Sequence, residues 1–122
     1  MDNPEMYRDQ VLGWINRTLE NPHDLEALKK LSAYYVQTHD KEKANYYLGK
    51  ALEEKPDDPE LIFYKGLNLE FYEEQEKALE YYLRFRDVSE DSPYKELLEG
   101  RYHWLKRQND YADVKSIIKS VT

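Results

Sequence analysis

The chain has 122 residues, a net charge of −7, 35% charged and 40% hydrophobic residues, and no cysteine. Its length suits a single domain, and its twelve tyrosines, three phenylalanines and two tryptophans supply the burial that a disordered chain lacks. The missing thiols exclude a disulfide framework, a cysteine nucleophile and Cys-ligated zinc, and an acidic balance of 25 Asp+Glu against 18 Lys+Arg weighs against nucleic acid, which is held by neutralising its phosphates.

The first predicted element is a helix over 4–20, with Met6, Val11, Trp14, Ile15 and Leu19 on one side. From Asp24, apolar residues at Leu25, Leu28, Leu31 and Tyr35, and again at Ala44, Tyr47, Leu48, Ala51 and Leu52, follow the spacing of two amphipathic helices. The polar break Thr38-His39-Asp40 separates them, Lys55-Pro56-Asp57-Asp58-Pro59 ends them, and Asp24 and Asp58 stand as N-caps. The next helix is apolar nearly all round: Leu61, Ile62, Gly66 and Leu69 serve a core, while Phe63, Tyr64, Leu67, Phe71 and Tyr72 remain over. Its partner carries Ala78, Tyr82 and Phe85. A last pair is expected to break at Asn109-Asp110-Tyr111, with Leu98, Tyr102 and Leu105 facing inward before it and Val114, Ile118 and Val121 after it. Seven helices are predicted. No run of ~18 apolar residues crosses a membrane, and Met1-Asp2-Asn3-Pro4-Glu5 lacks the basic and apolar regions of a secretory leader. A cytoplasmic protein is therefore expected, or a domain cut from an exported or envelope protein.

These segments share one interval. Ser32, Gly66 and Gly100 lie 34 apart (66 − 32, 100 − 66), as do Ala44, Ala78 and Ala112, while Trp14, Leu48 and Tyr82 carry the same step back into the first helix. A fixed period of about 20–50 residues marks stacked units that bury their apolar faces on one another. With Leu28, Leu31, Ser32, Tyr35, Ala44, Leu48, Ala51 and Pro56, and then Ile62, Gly66, Leu69, Ala78, Tyr82 and Phe85, the chain resembles the tetratricopeptide repeat family. Lys65 replaces that motif's leucine, and Glu90 stands at the second unit's closing proline. A strict step of 34 puts Glu96 on an apolar position of the third unit, so a register shifted by two is preferred there. The resemblance implies an all-α fold, a right-handed α-solenoid of about three helix-turn-helix repeats (24–57, 58–91 and 92–122) behind an N-terminal capping helix.

Chemistry is hard to find in these residues. His23, His39 and His103 show no i, i+4 ligand pairing, the four glycines are scattered rather than clustered in a phosphate-cradling loop, and carboxylates such as Glu53-Glu54 and Glu73-Glu74 lie in polar runs. No enzyme, metal or cofactor is expected. By the resemblance, the first helix of each pair lines a concave groove that holds a protein or peptide segment. Its expected lining here is Glu26, Lys29, Lys30, Ala33, Val36 and Gln37, then Glu60, Phe63, Tyr64, Leu67, Glu70 and Phe71, then some of Leu97, Arg101, Trp104 and Leu105, with Lys29, Ala33, Val36, Phe63, Tyr64, Leu67, Phe71, Arg101 and Trp104 as the chief candidates. Two readings of Phe63, Tyr64 and Phe71 stay open: an aromatic binding surface, or rings that close the concave side themselves. The clamp with which related repeats hold acidic chaperone tails is not expected, since of its positions only Lys29 fits and Ala33, Tyr64, Tyr94 and Leu98 occupy the rest. The expected role is a non-catalytic scaffold or adaptor that binds protein and not nucleic acid. The alternative is a self-associating or spacer module of a larger assembly. Leu97–Leu105 resembles repeat domains of bacterial cell-envelope assembly proteins.

Overall fold

Three aspartates fix where helices begin. Asp24 accepts a hydrogen bond from the Ala27 N–H at 3.1 Å, Asp40 from Lys43 at 3.2 Å, and Asp58 from Glu60 and Leu61 at 2.9 and 3.3 Å. Each supplies an acceptor for amides that have no partner within the first turn. In the computed structural model, which describes the backbone of residues 4–121 and the side chains of 7–110, 118 and 119, six α-helices follow. They are α1 (Pro4–Glu20), α2 (Leu25–Gln37), α3 (Lys41–Glu54), α4 (Pro59–Phe71), α5 (Gln75–Tyr82) and α6 (Pro93–Val121), with a 3₁₀ turn at Leu83–Asp87 after α5. No strand occurs among the described residues.

The two tight turns that fold α2 onto α3 and α4 onto α5 are built alike. His39 and Glu73, 34 apart, both take positive φ (59° and 63°). One residue later the Asp40 N–H reaches Tyr35 O at 3.0 Å and the Glu74 N–H reaches Leu69 O at 2.9 Å, the 6→1 bond of a helix closed by a left-handed residue. The interval first read in the side chains is therefore present in the backbone of both hairpins.

Each helix packs on the next in the chain, and α2 also touches α4 directly, as α4 touches α6. The interior falls into two clusters. Val11, Leu28, Leu31, Tyr35, Leu48 and Leu61 belong to the first; Ile62, Leu69, Tyr82, Phe85, Leu98 and Leu105 belong to the second. Helix α4 serves both, Leu61 toward one and Ile62 and Leu69 toward the other, which explains why it is apolar nearly all round. Small residues make the approach possible: Ala44 and Ala78 are fully buried, and a Cβ at Gly66 would stand 2.8 Å from Tyr82 Cδ1.

The last unit departs from expectation. No break occurs at Asn109-Asp110-Tyr111; α6 runs through that point as one helix of 29 residues, so the described residues form six α-helices and not seven. In the shifted register the position matching Glu73 is Asn109, which follows the helix-favouring run Leu105-Lys106-Arg107-Gln108, and the helix continues through it. The inward residues of the first half of α6 are those of the shifted register: Leu98 and Leu105 are buried, Glu96 and Gly100 exposed. Of the residues expected after the break, Ile118 is exposed, while the side chains of 114 and 121 lie outside the described residues.

Candidate functional site

The face of interest runs across α2, α4 and α6, helices that touch directly. At one end Lys29 of α2 is bound to α4. Its Nζ donates to Asp58 Oδ2 at 2.8 Å and lies 2.8 Å from Glu60 Oε2. Burial works against the ammonium charge, but the bonds to Asp58 and Glu60 outweigh it and hold the Lys29 pKa above its ordinary value. The expected rim cation is thus already committed to two carboxylates of its own chain.

In the middle, rings from α4 and α6 meet. Phe63 lies 5.9 Å from Tyr94 and 6.5 Å from Tyr82 between ring centroids, and Tyr64 meets Tyr94 edge-on at 6.4 Å. Burial, followed by the Tyr94 hydroxyl and the Glu60 carboxylate, pushes the Tyr64 phenol upward, so it stays neutral throughout the physiological range. Leu67 is half-buried against the first cluster, and Ala33 is partly covered. Val36 does not line the face. It lies within the first cluster at 1% exposure, a correction to the expected lining.

At the far end Glu70 joins three elements. Its Oε2 accepts from the Tyr82 hydroxyl at 2.7 Å, and its Oε1 accepts from Arg101 Nη2 of α6. The Tyr82 phenol is driven upward by burial and by that carboxylate. The Arg101 guanidinium also lies over the Trp104 ring at 4.7 Å from its centroid, a stacked cation–π arrangement. Phe71 meets the His39 ring edge-on at 4.9 Å, and Tyr72 donates its hydroxyl to the His39 carbonyl at 2.5 Å. Leu97, one turn before Arg101, borders a shallow depression with Pro93, Glu96, Gly100 and Arg101.

No family model matches the chain, and comparison with curated proteins and with solved structures returned no match.

Phe63 with Tyr64, and Arg101 with Trp104, are brought into contact as pairs, while Lys29 and Val36 serve internal ends. Tyr94 was not among the expected lining; it stands one interval after Glu60, so it carried a readable signal. Glu70 and Leu97 were expected on the face, but the pairing of Glu70 with Arg101 carried no signal, because a separation of 31 residues follows no helical spacing. Among the described residues no group of three or more His, Asp or Glu could hold a metal ion. His23 contacts Glu54 at an exposed edge, and His103 lies 3.9 Å from Glu99 on the surface of α6.

Proposed function

We propose that the chain is a non-catalytic protein-binding module: helix pairs of the tetratricopeptide kind, stacked as a right-handed solenoid, that offer the α4–α6 part of the inner face to a segment of another protein. The observation that carries this reading is apolar surface beside a rigid anchor. Phe71, Leu97 and Trp104 remain 46%, 48% and 43% exposed, while the Glu70–Arg101 pair and the Tyr82 hydroxyl between them are fixed. Large aromatic side chains and arginine, locked in place before binding, are the groups that dominate protein interfaces. Phe63 and Tyr64, engaged with Tyr94, tie α4 to α6 about two turns earlier along the same helices.

Replacing Phe71 and Trp104 together by serine removes two half-exposed rings and leaves both core clusters intact. The double variant is expected to keep its helicity and melting temperature within a few degrees and to lose partner capture in a pull-down. Capture at the parent level would remove the α4–α6 face as the site.

The alternative reading, self-association, is favoured by a separate observation. Leu12 and Leu19, seven apart on α1, are 46% and 75% exposed, and Leu19 borders a depression shared with the exposed Tyr46 of α3. Light scattering over a concentration range decides it: a mass that rises with concentration in the parent, and not after Leu19→Glu, supports docking through α1.

A further inference from the structure

We propose that two copies of the chain pair through α6, lying parallel as a short coiled coil whose seam is Leu97, Trp104, Tyr111 and Ile118. This goes beyond the binding reading above: it names a second copy as what covers the α6 edge of the face, and pairing competes with capture of another protein at Trp104. The first observation is spacing. The four residues stand seven apart (104 − 97, 111 − 104, 118 − 111) on one unbroken helix of 29 residues. Leu97, Trp104 and Ile118 are 48%, 43% and 59% exposed; Tyr111 is placed by the helix spacing alone. Leu98 and Leu105, about a quarter-turn round from Leu97 and Trp104, are fully buried in the second cluster. α6 therefore carries a second apolar side besides the one its own body covers.

Period and length choose the occupant. A stripe that repeats every seven residues drifts by ~20° per heptad on a straight α-helix, so it keeps facing a neighbour only when that neighbour is a helix wound with it. Following the stripe from Leu97 to Ile118 takes about 32 Å of helix. The next longest helix, α1, has 17 residues, and α2 and α4 have 13 each. Among the described elements only α6 matches the stripe in length, and the partner it fits is another α6. Charge sets the direction. With the stripe at heptad position a, Glu96 and Asp110 stand at g, and Arg101 and Lys115 at e. In a parallel pair each g residue meets the e residue five further along the other copy, so Glu96 comes beside Arg101 and Asp110 beside Lys115. In a reversed pair e would meet e, setting Arg101 against Lys115. The Asp110–Lys115 pair is the stronger guide, since Arg101 is already bound to Glu70 of its own chain. Gly100 and Arg107 at position d keep the first half of the seam weak, while Val114 and Val121 take that position in the second half. Reversible pairing is expected.

The test uses the intact chain. Sedimentation equilibrium over a concentration range should show the parent's mass rising toward that of a dimer. Trp104→Glu and Ile118→Glu should each weaken pairing roughly tenfold or more, with the melting temperature within a few degrees because both residues are exposed. Leu19→Glu should leave pairing unchanged. The chain has no cysteine, so single cysteines report the arrangement cleanly. Arg107→Cys, at position d, should form a disulfide with its own copy on mild oxidation, and Lys106→Cys, on the far side of α6, should not. Asp110→Lys should weaken pairing, and Asp110→Lys/Lys115→Asp should restore it. A parent that stays monomeric overturns this proposal and leaves the face to another protein, which the pull-down with Phe71→Ser/Trp104→Ser tests separately. A dimer unmoved by Trp104→Glu and Ile118→Glu, or lost only after Leu19→Glu, overturns it in favour of another surface. A dimer without the Arg107→Cys bond, or indifferent to the charge exchange, overturns the parallel seam and the proposal with it.

Discussion

Gly66 lacks a Cβ because the Tyr82 ring occupies the place one would fill. Tyr82 is fully buried and its hydroxyl is held by Glu70, so the ring has no room to retreat. Gly66→Ala is therefore expected to destabilise the chain by about 1–3 kcal/mol, the usual cost of overpacking, read as a lower urea midpoint with an unchanged slope; an unchanged midpoint would show that the α4–α5 contact is looser than described. The opposite sign is expected at Glu73. Its positive φ of 63° strains any side chain that has a Cβ, and the residue is exposed, so Glu73→Gly should stabilise by roughly 0.5–1 kcal/mol. A loss of stability on that substitution would mean the glutamate makes a contact that outweighs the strain.

At the scale of helices, the junction of α1 and α2 is an electrostatic joint. The Asp24 carboxyl is held below its usual range first by the Ala27 backbone N–H and then by Arg17. A depressed carboxyl contributes stability above its ordinary pKa of about 3.9, and loses it as pH falls through the lowered folded value. The parent should thus lose more stability than Asp24→Asn between neutral pH and about pH 3, measured as the shift in urea midpoint; parallel losses would assign the acid sensitivity elsewhere. The hairpins themselves were legible in the chain because two constraints repeat at one interval, a small residue facing a neighbouring helix and an apolar stripe around it. The break expected in α6 does not form: Asn109 stands where the two real turns have their left-handed residue and Asn109-Asp110 looks like a turn by composition, yet the run before it favours helix. A stretch of good helix formers keeps the helix going when nothing stops it. The site was half legible: exposed Phe71 and Trp104 follow from face and spacing. The capture of Lys29 by Asp58 and Glu60 depends on how one hairpin seats against the next, and no local pattern encodes that.

At the scale of the whole molecule, one helix belongs to two interiors. Because α4 is shared between the clusters, its two sides are consumed by α2 with α3 and by α5 with α6, and what is left over faces outward as Phe71, which follows Glu70 in the chain and meets the His39 ring. The same sharing makes the face rigid, since moving α4 would disturb both clusters. Residues 60–71 and 94–104 are therefore the surface proposed to grip another chain. Amide chemical-shift mapping of the intact protein, titrated with a peptide captured by it, tests that most directly. The account predicts perturbations concentrated in those two stretches and weak on α1 and α3; perturbations centred on Leu12, Leu19 and Tyr46 would contradict it.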